Sequence, residues 1–559
     1  MVAFSSLLSS VPFAIAIARF FNLETPQDQL PLPTDLVIED GIDALSSSAF
    51  STRHYGLELR GGLVAPDGFP RTAVTINNGF AGPLITALKH DSLEIKVNNQ
   101  IRNQNLYPLT SVHWHGFFQH RTATEDGVGW VTQCPIVPGR FYDYHFHTAG
   151  QTGTYWYHSH MKNQYCDGLR GPLVVYDPQD PFRHLYDIDD ASTVITLADW
   201  YHVPSQNDFN GSTIAPTPDS TLINSRGRYV GGPLVPLSVI NVLPNKRYRF
   251  RLINISCLQR FTVSLDGHNF TVIEADGELH QPYVVDSLDI FIGQRYSVIV
   301  ETNQTINNYW FRAVPGTAIA NQTNSTDPGL NNAIFRYQGA PIKNPVTNAG
   351  PGTNPLIEAN LVPLINPGAP GGDGPPDVAH QLTIGLGANG GILYWTINGT
   401  SFNPPGTPVL LQILAGATTA QDLLPPGSVI PLPPQSVVQI SIPDTNGVFA
   451  AHPFHLHGHS FDVIRSAGQT DFNYKNPPRR DVVAVDNGNI TFRFRTDNPG
   501  PWFLHCHIDW HLNQGLAVVF AEDPSGVVHG PNATFVPSAW KSLCTAFEEF
   551  KQANPDMKL

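Results

Sequence analysis

The segment His505-Cys506-His507-Ile508-Asp509-Trp510-His511 places a cysteine between two histidines, with a third histidine four residues further on. Three other histidine runs lie far from it in the chain: His113-Trp114-His115, His158-Ser159-His160 and His452-Pro453-Phe454-His455-Leu456-His457. Together the four runs hold ten of the 22 histidines. Ten imidazoles and one thiolate exceed what a single metal ion can bind, and these ligands suit copper better than calcium or magnesium. The sequence therefore predicts several copper ions in one protein.

Residues two apart in a β-strand point to the same face. If the segment around Cys506 is a strand, its two neighbouring histidines face one side and the thiol faces the other. His452 and His511 would complete a site of two imidazoles and one thiolate around Cys506, which is the blue-copper arrangement. Eight imidazoles then remain, and eight suit three copper ions.

A single His-x-His pair is weak evidence, because two ordinary half-buried histidines explain it equally well. Two pairs in one predicted domain and two further clusters in another make coincidence a poor explanation. We therefore favour metal binding over a purely structural role for these histidines.

The composition predicts an all-β protein of several domains. The chain has 559 residues, 49 prolines, 47 glycines and only 14% charged residues. Short runs rich in Val, Ile, Thr and Phe recur between turn signals, as in sandwiches and barrels. The length suggests two to four domains, and we predict three.

Two Pro-rich stretches, residues 176–181 and 341–376, mark the predicted domain boundaries. The first and third domains then contain all four histidine runs. The predicted division is a signal peptide at 1–18, an N-terminal extension of unassigned status at 19–55, and domains at 56–180, 181–345 and 346–559, the third with a linker at its start and a C-terminal tail.

The N-terminus predicts secretion. Residues 1–18 are apolar and end in Ala16-Ile17-Ala18, which resembles a signal-peptidase site although a basic start is missing. This stretch is too short, and too interrupted by serine, to span a membrane. Nine Asn-x-Ser/Thr sequons agree with export and predict a glycoprotein: Asn210, Asn254, Asn269, Asn303, Asn321, Asn324, Asn398, Asn489 and Asn532.

The net charge of −14 argues against a nucleic-acid partner, because there is no basic surface to neutralise phosphates. Five cysteines are present, so an oxidising compartment would pair four of them and leave one. Cys506 is the natural unpaired one, since a metal would keep it as a thiolate and out of disulfide exchange.

The chain resembles the multicopper oxidase family, and within it the laccases of basidiomycete fungi. The resemblance covers about residues 60–545. The motifs that carry it lie at residues 111–119, 153–160, 164–172, 452–459 and 495–511.

The resemblance implies three cupredoxin-like Greek-key β-barrel domains and four copper ions per monomer. The type 1 copper would be bound by His452, Cys506 and His511, and the type 2 copper by His113 and His455. The two type 3 coppers would be bound by one set of His115, His158 and His507 and another of His160, His457 and His505. It also implies a trinuclear cluster between the first and third domains, and the disulfides Cys134–Cys544 and Cys166–Cys257.

Four further positions follow from the same resemblance. Leu516 stands where an axial ligand of the type 1 copper lies in relatives; it cannot coordinate, which raises the reduction potential, and it can equally be a core residue. Asp126 and Asp509 match acidic residues that supply protons to the cluster, although alone each reads as an ordinary turn or surface carboxylate. Leu258 replaces an acidic residue that contacts phenols in many relatives.

The expected function is therefore that of a secreted laccase. Four one-electron oxidations of small aromatic donors, typically phenols, would be coupled to the reduction of dioxygen to two waters. We expect a monomer without membrane or nucleic-acid partners, and lignin degradation is one predicted role. The alternatives are a ferroxidase or other metallo-oxidase of the same superfamily and, with less support, a copper-binding protein without turnover.

Overall fold

Strands joined by short turns make up most of the computed structural model, which describes residues 51–208, 211–317, 319–322, 329–445 and 451–555. The predicted signal peptide, nearly all of the predicted N-terminal extension and the sequons at Asn210 and Asn324 lie outside these residues. The described strands begin at Thr52.

The first pair of sheets holds two of the histidine runs. Its strands are β1 (Thr52–Val64), β2 (Arg71–Ile76), β3 (Ile85–Leu88), β4 (Ser92–Asn99), β5 (Val112–His115), β6 (Phe141–His147), β7 (Gly153–Ser159) and β8 (Arg170–Tyr176). One sheet has the order β2-β1-β4-β6 and the other β3-β8-β7-β5. Strand β6 alternates exposed and buried side chains, as expected when one face of a sheet covers a core.

The second pair of sheets holds none of the histidine runs. Its strands are β9 (Val194–Trp200), β10 (Ser220–Ile223), β11 (Arg226–Tyr229), β12 (Val239–Val242), β13 (Arg247–Asn254), β14 (Phe261–Leu265), β15 (Phe270–Ala275), β16 (Glu278–Val285), β17 (Ser287–Ile290), β18 (Arg295–Glu301), β19 (Asn308–Pro315) and β20 (Asn332–Tyr337). They form the sheets β11-β10-β9-β13-β18-β15-β16 and β12-β20-β19-β14-β17. A short helix, α1 (Ser205–Asp208), lies between β9 and β10.

The third region has two five-stranded sheets and a hairpin. Its strands are β21 (Val378–Gln381), β22 (Ile384–Asn389), β23 (Ile392–Ile397), β24 (Val429–Leu432), β25 (Val437–Ile442), β26 (His452–Leu456), β27 (Phe461–Arg465), β28 (Arg479–Arg480), β29 (Val482–Val485), β30 (Ile490–Arg495), β31 (Gly500–Cys506) and β32 (Ala517–Glu522). The sheet orders are β21-β25-β30-β27-β28 and β24-β32-β31-β26-β29, and β22 pairs with β23. The helices are α2 (Val409–Leu414), α3 (Asp509–Asn513), α4 (Pro524–Val528) and α5 (Ser538–Ala553).

The described strands confirm the predicted all-β class. A continuous apolar core runs through the first and third regions, and a separate core fills the second. The two histidine-bearing regions are thus packed directly against each other, which is what a site shared between them needs.

One buried ion pair joins all three regions. Arg295 on β18 donates to both carboxylate oxygens of Asp481, at 2.6 and 2.7 Å, and through Nε to the carbonyl of Thr154 on β7, at 2.9 Å. Arg295 and Asp481 are almost completely buried. The planar guanidinium of Arg295 hydrogen-bonds to the first and the third region together, and this fixes the position of the two regions relative to each other.

Both disulfides implied by the resemblance are present, and Cys506 is the free cysteine. Cys134–Cys544 ties the first region to helix α5. Cys166–Cys257 ties the first region to the second. In the chain-entropy model, closing loops of 91 and 410 residues contributes roughly 5 and roughly 6 kcal/mol, less any strain.

One predicted sequon is structurally unavailable. Asn254 is completely buried, and its amide donates to the carbonyls of Gln259 and Ile290 at 2.9 Å each. A glycan cannot be attached there in the folded protein. Six sequon asparagines are exposed: Asn269, Asn303, Asn321, Asn398, Asn489 and Asn532. In the described part of the chain, none of the helices has the length and apolar character needed to cross a bilayer.

Replacing Arg295 by methionine should lower the free energy of unfolding by about 3–5 kcal/mol, because it leaves the Asp481 carboxylate buried without its partner. Urea denaturation followed by fluorescence measures the change. Arg247→Met is the matched control: its pair with Asp187 is largely exposed, so the loss should be below about 1 kcal/mol. Equal losses in the two variants would contradict the role given to Arg295.

Candidate metal centres

Strand pairing brings the four histidine runs together. In the first region β5 pairs with β7, so that His113 lies opposite His158. In the third region β26 pairs with β31, so that His455 lies opposite His505 and Phe454 lies opposite Cys506. All ten histidines and Cys506 are buried.

Cys506 lies with two imidazoles in a small, closed group. Its Sγ is 3.6 Å from Nδ1 of His452 and 3.7 Å from Nδ1 of His511, and these two nitrogens are 3.2 Å apart. The ring of Trp395 packs against both histidines. Burial raises the pKa of the Cys506 thiol well above its usual range, so a thiolate in this position requires a bound cation.

The other eight histidines form three groups, two of which share His115, and within each group the candidate ligand atoms lie within 4.8 Å of one another. Each group combines residues from the first and third regions, which is the arrangement that the resemblance implies. They are His113, His115 and His455; His115, His158 and His507; and His160, His457 and His505.

His457 and His505 show most clearly that a cation belongs among these rings. Nδ1 of His457 donates to the Asp126 carboxylate at 3.0 Å, and Nδ1 of His505 donates to the carbonyl of Cys506 at 3.0 Å. Each Nε2 is then left with a lone pair, and the two Nε2 atoms face each other at 3.1 Å. Two buried acceptors at that distance repel unless a cation lies between them.

The same arrangement recurs around the cluster. The Nδ1 atoms of His113, His158 and His455 donate to the backbone carbonyls of Asp126, Ser159 and Asp481, at 2.7–2.9 Å. Their Nε2 atoms, and that of His160, are buried and have no hydrogen-bond partner. Unpartnered buried nitrogens are costly in a protein interior, and a metal ion satisfies them.

Burial also sets the protonation state that a metal needs. It lowers the pKa of His505 to about 3 and that of His452 to about 4. Burial and the neighbouring histidines lower the pKa of His457 well below its usual range. Neutral imidazole is the form that binds metal ions, so these residues fit copper in both geometry and charge.

The two predicted acidic residues occupy different positions. Asp126 is completely buried, and its carboxylate lies 3.3 Å from Nδ1 of His113 as well as 3.0 Å from that of His457. Asp509 begins α3, and its carboxylate accepts from the amide of Asn163 at 3.0 Å. Tyr165 lies between this region and the cluster histidines, and its hydroxyl donates to the backbone carbonyl of His507 at 3.3 Å.

Leu516 is completely buried beside the Cys506 group. Its carbonyl accepts from the amide of Cys506 and its amide donates to the carbonyl of His511, both at 3.1 Å. These two backbone hydrogen bonds hold Leu516 next to Cys506 and His511. Leu516 is therefore both a core residue and a neighbour of the candidate copper site.

Two residues that support the cluster, Asp481 and Gly293, are not predicted from the sequence. The backbone carbonyl of Asp481 accepts from Nδ1 of His455 and so orients that ring. The Asp481 carboxylate lies 3.5 Å from Nε2 of His115. Gly293 comes so close to the rings that an added Cβ would lie 2.9 Å from Cδ2 of His507 and 3.0 Å from Cε1 of His115. Neither residue lies in a histidine motif, so only the folded structure reveals their contacts.

A cavity of about 200 Å³ adjoins the segments that carry the Cys506 group. Ile508, which follows the histidine-cysteine-histidine stretch, and Ala451, which precedes His452, both line it. Leu258 lines it as well, so no carboxylate stands at that position.

Models of the multicopper oxidase family match residues 59–180, 191–340 and 402–526. The chain belongs to the multicopper oxidase family. Each of the three matches falls on one pair of sheets, so each pair is one cupredoxin-like domain. The metal of the family is copper, which is the metal the donor set fits.

Curated and solved relatives agree with this membership. A protein called Laccase-1 from Pleurotus ostreatus is 50% identical over 503 residues, covering 88% of this chain and 92% of its own. The crystal structure of a laccase from Botrytis aclada is similar with a TM-score of 0.79 and 33% identity, covering 90% and 93% of the two chains. Fet3p, a multicopper oxidase that functions in iron import, has a TM-score of 0.77 and 28% identity, covering 89% and 95%.

Removing the metal should destabilise the protein strongly, because it leaves several buried imidazole nitrogens without partners and facing each other. We expect protein treated with a copper chelator under reducing conditions to melt at a clearly lower temperature in differential scanning calorimetry. Adding copper back should restore the original melting temperature. Identical melting of the depleted and reloaded protein would contradict a buried metal cluster.

Proposed function

We propose that this protein is a laccase, which oxidises phenolic and related aromatic donors one electron at a time and reduces dioxygen to two waters. The observation that carries the proposal is that residues 505–507 contribute side chains to two separate candidate metal sites. Cys506 lies with His452 and His511 in one site. His505 and His507, on either side of it in the chain, belong to the other site, which contains eight imidazoles. The 50% identity to a laccase over most of both chains supports the same function.

In this proposal His452, Cys506 and His511 hold a type 1 copper, and His113 and His455 hold a type 2 copper. Of the two type 3 coppers, His115, His158 and His507 hold one, and His160, His457 and His505 hold the other. Copper bound at these residues supplies one-electron oxidation of the donor at one centre and four-electron reduction of dioxygen at the other. The four ions per chain are part of the proposal.

The chain's own contribution is to connect the centres and to keep bulk water away from both. Cys506 and its two neighbours form a covalent path of three consecutive residues from one centre to the other. The burial of the eight imidazoles, of which His160 alone is more than 1% exposed, keeps bulk water from the cluster. The cavity beside Ile508 and Ala451 is where we propose that the aromatic donor binds.

Reduction of dioxygen consumes four protons, so a proton supply is part of the function. Burial raises the pKa of Asp126, and its carboxylate touches two cluster histidines. We propose that Asp126 holds and passes protons at this point. Burial also raises the pKa of Asp509, and we propose it as a second residue that passes protons toward the cluster.

The laccase proposal includes several further features of the protein. They are secretion after removal of residues 1–18, glycosylation at exposed sequons, a monomeric state, and domains at 56–180, 181–345 and 346–559. The first domain begins a few residues earlier than this division, because β1 starts at Thr52 and pairs with β4. A role in lignin degradation is also proposed. A ferroxidase is the alternative, but the iron-import oxidase is 28% identical to this chain whereas the Pleurotus laccase is 50% identical.

The decisive experiment compares oxygen uptake with 2,6-dimethoxyphenol and with Fe²⁺ at equal concentrations, on purified protein whose copper content has been measured. A laccase should consume oxygen rapidly with the phenol and contain four coppers per chain. Faster turnover of Fe²⁺ than of the phenol would favour the ferroxidase. Copper without any oxygen uptake would favour a binding protein.

Leu516→Met should lower the reduction potential of the copper at Cys506, because a thioether next to the site can donate to the metal where leucine cannot. A redox titration followed by visible absorption measures this potential. Leu423→Met, also completely buried in the third domain, is the control and should leave the potential unchanged. An unchanged or raised potential in the Leu516 variant would refute the axial assignment.

Asp126→Asn should slow dioxygen reduction by about 10-fold or more, since the amide cannot hold a transferable proton. The visible absorption of the Cys506 centre should persist, because that centre does not contain Asp126. Stopped-flow reoxidation of the reduced enzyme tests the first claim and a spectrum the second. Asp143→Asn is the matched control on the first domain, and reoxidation as fast in the Asp126 variant as in this control would remove the proton-supply role.

A further inference from the structure

The cavity beside the Cys506 centre has an apolar floor and one charged edge. Leu258, Phe291 and Ile508 provide apolar surface, and Arg260 and Asp486 provide the charges. A flat aromatic ring suits such a floor, because ring burial removes apolar area from water. Among the described residues that line the cavity, Asp486 is the one carboxylate.

Strand register places Asp486 close to the metal centre. It directly follows β29, whose last residue, Val485, pairs with His452 on β26. Arg260 approaches from the second domain, immediately before β14. The charged edge of the cavity is therefore built from two domains, at the level of one of the Cys506-group histidines.

Arg260 holds Asp486 in a defined orientation. Nη1 of Arg260 is 2.7 Å from Oδ2 of Asp486 and 3.7 Å from the carboxylate of Asp289, and the guanidinium lies over the ring of Phe291. Oδ1 of Asp486 accepts from the amide of Asn487 at 2.9 Å. Each carboxylate oxygen has two acceptor sites, so both retain room for another hydrogen bond.

Asp486 is also open to solvent. Its side chain is 23% exposed and that of Arg260 is 34% exposed. A group placed there can accept a hydrogen bond from a molecule in the cavity and exchange protons with water. A fully buried carboxylate would need other groups to carry the proton to water, whereas Asp486 can release it directly.

Phenol oxidation releases a proton that such a group can accept. Removing one electron from a phenol, and breaking its O–H bond, gives a phenoxyl radical, one electron and one proton. In the proposed laccase reaction the electron goes to copper, which leaves the proton to be accepted near the ring. Leu258 cannot accept it.

We infer that Asp486 is the donor-side acceptor: its carboxylate accepts the hydrogen bond of the donor's hydroxyl and then its proton, while Arg260 is the positioning residue that orients Asp486. The protonated carboxyl then releases the proton to water at the cavity mouth. This inference rests on the proposed laccase function. It predicts a preference for donors that carry an ionisable O–H or N–H next to the ring.

The test compares two donors on the copper-loaded enzyme: 2,6-dimethoxyphenol, which must lose a proton, and hexacyanoferrate(II), which has none. Asp486→Asn should lower kcat/KM for the phenol by about 10-fold or more relative to hexacyanoferrate(II). Asp486→Glu should recover a large part of the loss because it restores a carboxylate. Copper content and visible spectrum should match those of the wild type in both variants.

Asp289→Asn is the matched control, since it removes an equal charge beside the same arginine but Asp289 does not line the cavity. Any effect of charge on the anionic hexacyanoferrate(II) is then shared by the two asparagine variants. If Asp486→Asn does not yield folded protein, Asp486→Ser replaces it in the same comparison.

An equal ratio of phenol to hexacyanoferrate(II) oxidation in the Asp486→Asn and Asp289→Asn variants overturns the inference and leaves the laccase proposal standing. A wild-type enzyme that oxidises neither donor overturns both. A phenol-specific loss that the glutamate variant reverses supports the inference.

Discussion

The structure depends on a repulsion that only a cation removes. Backbone carbonyls and the Asp126 carboxylate accept the Nδ1 protons of five cluster histidines, so the Nε2 lone pairs of these five point inward. At His457 and His505 two such lone pairs face each other at 3.1 Å in a dry interior. A fold that encloses this arrangement is more stable with metal bound than without it, and the rest of the molecule serves to hold the two histidine-bearing domains around it.

The second domain, which has none of the histidine runs, provides much of that support. Arg295 joins it to Asp481 of the third domain and Thr154 of the first, and Gly293 allows the cluster rings to approach its backbone. Asp481 in turn orients His455. The same domain contributes Arg260 to the charged edge of the donor cavity, so it shapes both ends of the proposed electron path without contributing a copper ligand.

The sequence was sufficient for the all-β class, for the group of Cys506 with His452 and His511, and for the role of Cys506 as the free thiol, because strand parity and local spacing determine which side chains share a face. The resemblance added the grouping of the other eight histidines and both disulfide pairings. It could not reveal Asp481, Gly293 or Asp486, since their importance comes from contacts between distant segments that leave no local pattern. The sequence also could not show that Asn254 is buried, because the Asn-x-Ser/Thr motif is identical in a core strand and on the surface.

The central claim is that residues 505–507 serve two metal centres on opposite faces of one strand. Anomalous diffraction at the copper absorption edge, from crystals of the copper-loaded protein, tests it directly. We predict one peak enclosed by His452, Cys506 and His511 and three peaks among the eight remaining imidazoles. A single peak in total, or none at the Cys506 sulfur, would contradict this account.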